Sequence, residues 1–243
     1  MNHYYEAEAS RNLSGLEGME GWKAQDRIQW AWEQFGEGVV MSTSFGIQSA
    51  VLLHMVKGII PSIPVVFVDT GYLFEETYRF AEQLRERLDL NLKVYSARRT
   101  AARQEALEGK RWAGDLKELE AYNLENKVEP MNRALVELQA KAWITGLRRV
   151  QSRSREGLKA VEQQKRTIKI HPIIDWSEKA VYDYLLANEL PFHPLWKEGY
   201  ASVGDWHSSA PLQAGQTAEE TRFKGLKREC GLHESSSQSD WQI

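Results

Sequence analysis

The chain has 243 residues, 42% of them hydrophobic, with a formal net charge of −3 and one cysteine. This size and composition suit a single α/β domain with a sizeable core. One cysteine excludes an intramolecular disulfide and an iron–sulfur cluster ligated by this chain alone, since such clusters need about four thiolates. The small negative charge gives no global attraction to nucleic acid or to an anionic membrane, so a basic cluster is interpreted as a local anion site.

The first 20 residues are polar and contain Gly15 and Gly18, which predicts a loosely held N-terminal arm. They do not show the charged and apolar regions of a signal peptide, and the sequence has no stretch of about 18 apolar residues. We therefore expect a cytoplasmic protein without a membrane segment.

Helical and strand patterns alternate from residue 21 onwards. Ile28, Ala31 and Phe35 have the spacing that places one apolar stripe on a helix, and the run from Pro64 to Val68 predicts a fully buried parallel strand. The predicted strands are 39–43, 64–68, 92–95, 142–145 and 168–170. The predicted helices are 21–35, 47–57, 77–88, 98–109, 132–139 and one that begins after the N-cap Ser177 and ends at Pro191.

This alternation is typical of an α/β fold, a single domain with a mainly parallel sheet and helices on both faces. Between Trp112 and Pro130 the pattern is weak. We predict an N-terminal arm at 1–20, an α/β domain at 21–207, whose ligand is considered with the motifs below, and a mobile C-terminal tail at 208–243.

A candidate phosphate loop joins the first predicted strand to the next helix. In a parallel sheet, ligands bind at the carboxyl ends of the strands, and a tight turn into a helix offers backbone N–H groups to an anion. Small hydroxyl residues and a glycine allow close approach of the backbone to phosphate. An ordinary serine-rich turn is the alternative. The candidate residues are Ser42, Thr43, Ser44, Phe45, Gly46 and Ser49.

Two further strand ends carry polar residues at the same predicted edge. The second strand ends at Asp69, Thr70 and Gly71, and the fourth strand leads into an arginine-rich segment. The planar guanidinium of arginine suits phosphate and sulfate oxygens. The alternatives are an ordinary turn with an aspartate cap and a solvated basic loop. The candidate anion ligands in the arginine-rich segment are Arg148, Arg149, Gln151, Ser152 and Arg155.

Cys230, the one cysteine, lies in a charged segment near the C-terminus. Lys227, Arg228 and His233 would lower its thiol pKa, against the charges of two glutamates, and a thiolate is a nucleophile. A lone cysteine is more often a small buried hydrophobe, but this segment is charged and then serine-rich, without a core pattern. The histidines lack metal-ligand spacing, so we predict no metal.

Taken together, these motifs resemble those of the thioredoxin-dependent phosphoadenylyl-sulfate (PAPS) reductases, which reduce activated sulfate to sulfite. The loop Ser-Phe-Gly-Ile-Gln departs from the Ser-Gly-Gly-x-Asp-Ser pattern of ATP pyrophosphatases and is typical of sulfonucleotide reductases. The resemblance spans roughly residues 25–234 and implies the adenine nucleotide alpha hydrolase-like fold. The matching segments are 44–48, 69–78, 127–133, 146–155, 193–196, 200–205 and 229–233.

The resemblance implies that Cys230 attacks the sulfate sulfur of 3′-phosphoadenylyl sulfate and forms an S-sulfocysteine. It further implies that Lys127 and Arg222 interact with the substrate's charges and that thioredoxin or glutaredoxin is the reductant. A homodimer without a bound cofactor or iron–sulfur cluster is expected. The alternatives are an adenylyl-sulfate reductase, whose members typically carry a four-cysteine iron–sulfur site, an ATP-dependent adenylating enzyme of the same fold, and a non-catalytic nucleotide sensor.

Overall fold

Six strands form one sheet in the order β3-β2-β1-β4-β6-β5. The computed structural model describes residues 16–164, 166–217 and 220–222. All neighbouring strands pair in parallel except β5 and β6, which are antiparallel. The strands are β1 Val39–Thr43, β2 Pro64–Asp69, β3 Asn91–Ser96, β4 Ala142–Ile144, β5 Val161–Gln163 and β6 Ile168–Ile170.

Helices cover both faces of this sheet, as the alternating pattern predicts. The larger core packs strand residues such as Met41 and Ile144 against helices that carry Ile28, Val51 and Phe80. A second cluster on the opposite face joins strand residues Val40, Val66 and Trp143 to one helix through Met131 and Ala134. The helices are α1 Ala24–Phe35, α2 Ser49–Ile59, α3 Glu75–Arg87, α4 Ala101–Glu108, α5 Leu116–Asn123, α6 Glu129–Glu137 and α7 Glu178–Ala187.

None of the helices within the described ranges is long and apolar enough to cross a membrane. The predicted α/β class with a mainly parallel sheet is confirmed. The sequence does not predict the edge strand β5, because Val161 is its one apolar residue, whereas the equally short β6 carries two isoleucines.

The stretch with a weak sequence pattern is helical and contains a π-helix. Helix α5 begins with a capping box formed by Asp115 and Glu118, and a π-helix at Leu124–Val128 connects it to α6. A π-turn shifts the helical phase, so apolar residues on its two sides do not follow one 3.6-residue period. Lys127 is 6% exposed within this π-helix, although the sequence gives it the appearance of a solvated cation.

The last residues of the predicted N-terminal arm belong to the packed structure. Leu16–Gly21 is a short 3-10 helix, and Met19 is 2% exposed in the larger core. The fully buried Arg27 guanidinium donates to the Met19 and Glu20 carbonyls at 3.0 and 2.8 Å, and to the Pro172 carbonyl at 2.8 Å. Arg27 also pairs with both carboxylate oxygens of Asp175 at 3.0 Å. The boundary expected at residue 20 therefore falls inside a helix that the core holds.

Replacing Arg27 with methionine is expected to lower the free energy of unfolding by about 3 to 5 kcal/mol, because it leaves buried carbonyls without donors and removes the fully buried partner of the half-exposed Asp175. Urea unfolding measures the change. The control is Arg79→Met, which removes an ion pair whose arginine side chain is 73% exposed and should cost less than about 1 kcal/mol. Equal losses in the two variants would show that the Arg27 contacts contribute no more than a surface pair.

Candidate functional site

The candidate loops lie at one edge of the sheet, since β1, β2 and β4 run in parallel and their carboxyl ends meet there. Residues 44–48 follow β1, residues 70–73 follow β2, and residues 145–148 follow β4. The structure therefore gathers three of the predicted motifs at the position where open α/β sheets bind ligands.

The loop after β1 enters α2 through an unusual backbone conformation at Phe45. The φ angle of Phe45 is 48°, a left-handed value that non-glycine residues adopt mainly at functional sites and tight turns. Its ring is fully buried and meets the Phe67 ring edge-on at 5.0 Å. Its backbone N–H donates to Thr43 Oγ1 at 3.1 Å. Phe45 thus shapes the loop, while its side chain belongs to the core.

The N-terminus of α2 has no side-chain cap, and a buried hydroxyl lies beside it. The Oγ of Ser49 is shielded from solvent and has no hydrogen-bond partner among the residues that the structure describes. Ser42 is already engaged, because its Oγ accepts from Trp143 Nε1 at 2.7 Å. The Ser49 and Val51 N–H groups already donate to the Gly46 and Gln48 carbonyls, so the unsatisfied Ser49 hydroxyl at this helix N-terminus is the feature that suits an anion.

Asp69 and Gly71 form the turn after β2. One Asp69 oxygen accepts from the Gly71 N–H at 2.8 Å and from the Tyr78 hydroxyl at 2.7 Å. Gly71 has a φ angle of 75°, which glycine adopts at little cost. Burial, followed by the hydrogen bond to Asp69, raises the pKa of Tyr78. These contacts give Asp69 a turn-forming role, and its role in substrate binding stays a prediction.

A buried polar network joins three candidate segments around Asp205, which is 1% exposed. Asp205 Oδ1 accepts from Thr70 Oγ1 at 2.6 Å, and Oδ2 accepts from Lys127 Nζ at 2.6 Å and from the Tyr122 hydroxyl at 3.0 Å. Burial alone raises the pKa of Asp205, but the Lys127 charge and the bonds from Lys127 and Thr70 outweigh it, so this pKa is lowered. The local sequence of Asp205 indicates no role; its position in a matching segment is the one signal that points to it.

His207 extends this network. Its ring stacks on Trp112 with centroids 4.4 Å apart, and Nε2 lies 3.2 Å from the Tyr122 hydroxyl. Burial lowers the pKa of His207 to about 4, against the opposing charge of Asp205. At neutral pH the buried network therefore contains an ionised Asp205 carboxylate and a neutral His207 imidazole.

A second buried histidine, His193, lies between α3 and the loop after α7. Its Nε2 is 3.1 Å from Thr77 Oγ1, and its Nδ1 accepts from the Leu195 N–H at 3.2 Å. Burial lowers the pKa of His193 to about 4 as well. Both histidines are thus neutral in the folded protein at pH values where an unfolded chain protonates them.

Acid is expected to destabilise the protein through these histidines. Because a folded-state pKa near 4 lies below the ordinary value of 6.5, the unfolded state binds more protons between these values. Stability is complete above pH 6.5 and falls as the pH is lowered towards 4, by about 2 kcal/mol for each histidine at pH 5. Urea unfolding between pH 7.5 and pH 5 measures this loss. His193→Gln should reduce the pH slope, and parallel curves for this variant and the wild type would contradict the assignment.

The buried Arg148 side chain connects the loop after β1 to the start of α7. It is 1% exposed, and its Nη2 pairs with Glu178 Oε1 at 2.7 Å and also bonds the Gln48 side chain. Its Nη1 donates to the Trp176 carbonyl at 3.3 Å. Burial lowers the pKa of Arg148, against the opposing effect of Glu178. The structure thus brings Arg148 to the phosphate loop through Gln48 and engages it with α7.

The residues that follow Arg148 in the arginine-rich segment contact Glu20 and one another. Arg149 pairs with Glu20 at 2.5 Å. Gln151 Oε1 accepts from the Arg148 N–H at 3.1 Å and from the Arg155 side chain. Ser152 Oγ lies 2.9 Å from Ser154 Oγ. A surface cavity of about 490 Å³ adjoins this segment; its lining residues are Arg149, Val150, Gln151, Ser152, Arg153, Glu156 and Thr217.

Arg222 lies beside the buried network. Its Nη1 donates to Ser209 Oγ at 2.8 Å, and its guanidinium covers Gly204, where an added Cβ would lie 2.4 Å from Nη2. Ser208 and Arg222 are buried, so the tail expected from residue 208 begins with segments packed on the domain. The other tail candidates lie outside the described residues: Lys227, Arg228, Cys230 and His233.

Within the described ranges, the structure contains no cluster of three or more His, Cys, Asp or Glu side chains that could hold a metal ion. The expectation of no bound metal or cofactor concerns the whole chain and stays a prediction.

Comparison with known proteins identifies relatives along most of the chain. Residues 38–211 match the family model of the phosphoadenosine phosphosulfate reductase domain. The chain is 57% identical over 217 residues to a phosphoadenosine 5′-phosphosulfate reductase of Synechocystis sp., covering 88% of this chain and 87% of the relative. It is 52% identical over 235 residues to the protein of that name from Pectobacterium carotovorum, covering 96% of each.

Solved structures agree with this relationship. The chain is similar to a crystal structure of a phosphoadenylyl-sulfate reductase from Candida auris in a phosphate complex, with a TM-score of 0.70 and 25% identity, covering 86% of this chain and 98% of that one. A Candida glabrata FMN adenylyltransferase has a TM-score of 0.58 at 18% identity and covers 80% of this chain and 66% of that one. The second likeness shows a shared fold alone.

Proposed function

The chain belongs to the phosphoadenosine phosphosulfate reductase family, and we propose on that premise that it reduces 3′-phosphoadenylyl sulfate to sulfite and adenosine 3′,5′-bisphosphate in sulfate assimilation. The observation that carries the proposal is the 52% identity to the Pectobacterium relative over 96% of both chains. At this level of identity over nearly the full length, we expect this chain to retain the active site of the relative. Thioredoxin as the reductant and a covalent intermediate are the finer parts of the proposal.

The phosphosulfate group is assigned to the loop after β1 and the N-terminus of α2. The unpartnered Ser49 hydroxyl supports this assignment, because it offers a donor at a helix N-terminus, where the helix dipole favours negative charge. Ser44 is exposed at the loop, and Gly46 allows close approach of the backbone. Ser42 and Thr43 contribute mainly by holding the loop, since their hydroxyls already accept from Trp143 and Phe45.

The second anionic group of the substrate is assigned to the arginine-rich segment. Arg149, Gln151 and Ser152 line the cavity beside it, and Arg155 bonds Gln151. A planar guanidinium matches phosphate oxygens. Asp205 bonds both Lys127 and Thr70, and Thr70 directly follows β2, which supports a role for Lys127 near the substrate's charges.

The proposed reaction uses Cys230 as nucleophile. Its thiolate attacks the sulfate sulfur, an S–S bond forms, the bond from sulfur to the bridging oxygen breaks, and adenosine 3′,5′-bisphosphate leaves with the electron pair. Lys227, Arg228 and His233 would favour the thiolate, and Arg222 would reduce repulsion between two anions. Cys230 lies 8 residues after Arg222, whose guanidinium covers Gly204 next to Asp205, and 8 extended residues span up to about 28 Å.

Thioredoxin then supplies two electrons. One of its thiolates attacks Sγ of Cys230, sulfite leaves, and a mixed disulfide forms; its second thiol releases the Cys230 thiolate and closes the thioredoxin disulfide. The overall change reduces sulfur by two electrons and oxidises one dithiol. Glutaredoxin could serve in the same step. The homodimer and the cytoplasmic location expected from the sequence stay predictions.

Sulfite release by the purified protein with reduced thioredoxin tests the proposal. 3′-Phosphoadenylyl sulfate should give sulfite, and adenylyl sulfate should give much less. Before thioredoxin is added, mass spectrometry should find an adduct of about 80 Da, the mass of SO₃, on the Cys230 peptide. Sulfite from adenylyl sulfate alone would favour the other reductase class, and magnesium-dependent pyrophosphate release from ATP would favour an adenylating enzyme.

A further inference from the structure

The carboxylate of Glu20 connects the N-terminal 3-10 helix to both ends of the arginine loop, residues 149–160. Its Oε2 accepts from Arg149 Nη2 at 2.5 Å, and its Oε1 accepts from the Ala160 N–H at 2.8 Å. Arg149 Nε also donates to the Leu158 carbonyl at 2.9 Å. One side chain thus holds the first and last residues of the loop, and the Arg149 guanidinium is fixed from two directions.

Glu20 is itself anchored. Arg27, which is fully buried, donates to the Glu20 and Met19 carbonyls and pairs with Asp175 on the connection between β6 and α7. The backbone that carries the Glu20 carboxylate is therefore held by the core. A rigid support of this kind can hold a loop in one geometry.

Glu20 is ionised at neutral pH. Burial acts to raise its pKa, but the Ala160 N–H and the Arg149 side chain outweigh that effect, and the pKa is lowered. Its bond to Arg149 is accordingly charge-assisted, the stronger class of hydrogen bond.

We propose that Glu20 is a positioning residue for substrate binding: it holds Arg149 and the arginine loop in the geometry that receives an anionic group of the substrate. The proposal rests on the proposed function. A guanidinium held in place before binding loses less side-chain entropy when an anion arrives, so affinity is higher than for a mobile arginine. The residues that this loop presents to the adjoining cavity include Gln151 and Ser152.

Removing the Glu20 charge has two possible effects on the affinity for an anionic substrate, and these effects have opposite signs. A carboxylate beside Arg149 weakens the attraction of the site for an anion, so removing the charge should tighten binding if simple electrostatics dominated. Removing a positioning contact should weaken binding instead. The sign of the change distinguishes the two.

The test variant is Glu20→Gln, whose amide oxygen can still accept from the Ala160 N–H, so that mainly the Arg149 contact is lost. The control is Glu33→Gln, which removes the same charge from an exposed residue of α1 that bonds Gln29. In steady-state assays with 3′-phosphoadenylyl sulfate and reduced thioredoxin, Glu20→Gln should raise KM about tenfold with kcat changed less than twofold. The dissociation constant of adenosine 3′,5′-bisphosphate should rise about equally, and the melting temperature should match that of the control.

Arg149→Lys provides the second variant, because lysine cannot reproduce the bidentate geometry of arginine. It should show the same rise in KM, and adding Glu20→Gln to it should raise KM no further. A full additional tenfold rise in the double variant would overturn the proposal, since the effect would not pass through Arg149.

The outcomes also separate the two levels of inference. The positioning role alone is overturned if the wild type turns over substrate and Glu20→Gln has the same KM as Glu33→Gln. It is also overturned if the wild type is active and Glu20→Gln binds the bisphosphate more tightly. A wild-type protein that neither releases sulfite nor binds the bisphosphate overturns the proposed function and the positioning role with it.

Discussion

The variant Cys230→Ser is expected to lose sulfite formation by at least about 10⁴-fold while it binds 3′-phosphoadenylyl sulfate as the wild type does. A serine hydroxyl is not ionised near neutral pH and has no activating base assigned beside it, whereas a thiolate is an effective nucleophile. Sulfite release with reduced thioredoxin measures the first effect, and equilibrium binding of the nucleotide measures the second.

The control for this variant is Ser236→Ala, which changes a hydroxyl in the same C-terminal segment. It should retain activity within about twofold, which would show that the tail tolerates a substitution without a catalytic role. Cys230 is the one thiol of the chain, so an adduct found in the wild type and absent from the serine variant locates the covalent step. Normal sulfite formation by Cys230→Ser would eliminate the covalent mechanism.

The second large effect is expected at the buried pair of Lys127 and Asp205, whose charged atoms lie 2.6 Å apart. Lys127→Met should lower the free energy of unfolding by about 3 to 5 kcal/mol, because it leaves a buried carboxylate without its cation. It should also lower kcat/KM about 100-fold if Lys127 interacts with the substrate. Urea unfolding and sulfite release measure the two effects separately.

A double variant separates structure from catalysis at this pair. In Lys127→Met with Asp205→Asn, both charges are removed together, so most of the lost stability should return. Activity should stay low, because the cation is still absent. Lys179→Met serves as the control: that lysine is 82% exposed in its pair with Asp183 and should cost less than about 1 kcal/mol. Recovery of activity in the double variant would mean that Lys127 has only a structural role.

Both predictions depend on features that the sequence reveals unequally. Cys230 is visible at once, since its segment matches a known motif and no other thiol competes with it. Asp205 is not, because nothing in its local sequence indicates that Thr70, Lys127 and Tyr122 converge on its carboxylate. A short polar residue in a loop gives the same signal whether it is solvated or fully buried.

The arginine-rich segment illustrates the same limit. Sequence analysis grouped Arg148 and Arg149 as candidate anion ligands because cations cluster there. In the structure Arg148 is buried and pairs with the exposed Glu178, and Arg149 is held by Glu20, a residue assigned to a loose arm. Charge density predicts that a segment contains cations, but only the packing of distant elements decides which carboxylates they meet.

By itself, the sequence determined the elements whose patterns are local. Strand β1 at Val39–Thr43 and the Ser177 cap of α7, whose hydroxyl accepts from the Ala180 N–H, follow from β-branched runs and capping chemistry within a few residues. The parallel α/β class followed from their alternation, and the family from motifs that each occupy one short segment.

The tertiary structure alone decided the π-helix, the edge strand β5, the burial of Lys127 and the attachment of residues 19 and 20 to the core. The physical reason is the sequence separation over which each interaction acts. Helical and strand propensities act between neighbours along the chain, whereas a buried ion pair or a loop support forms between residues far apart in sequence. Their energy exists only after the sheet has brought them within a few ångströms of each other.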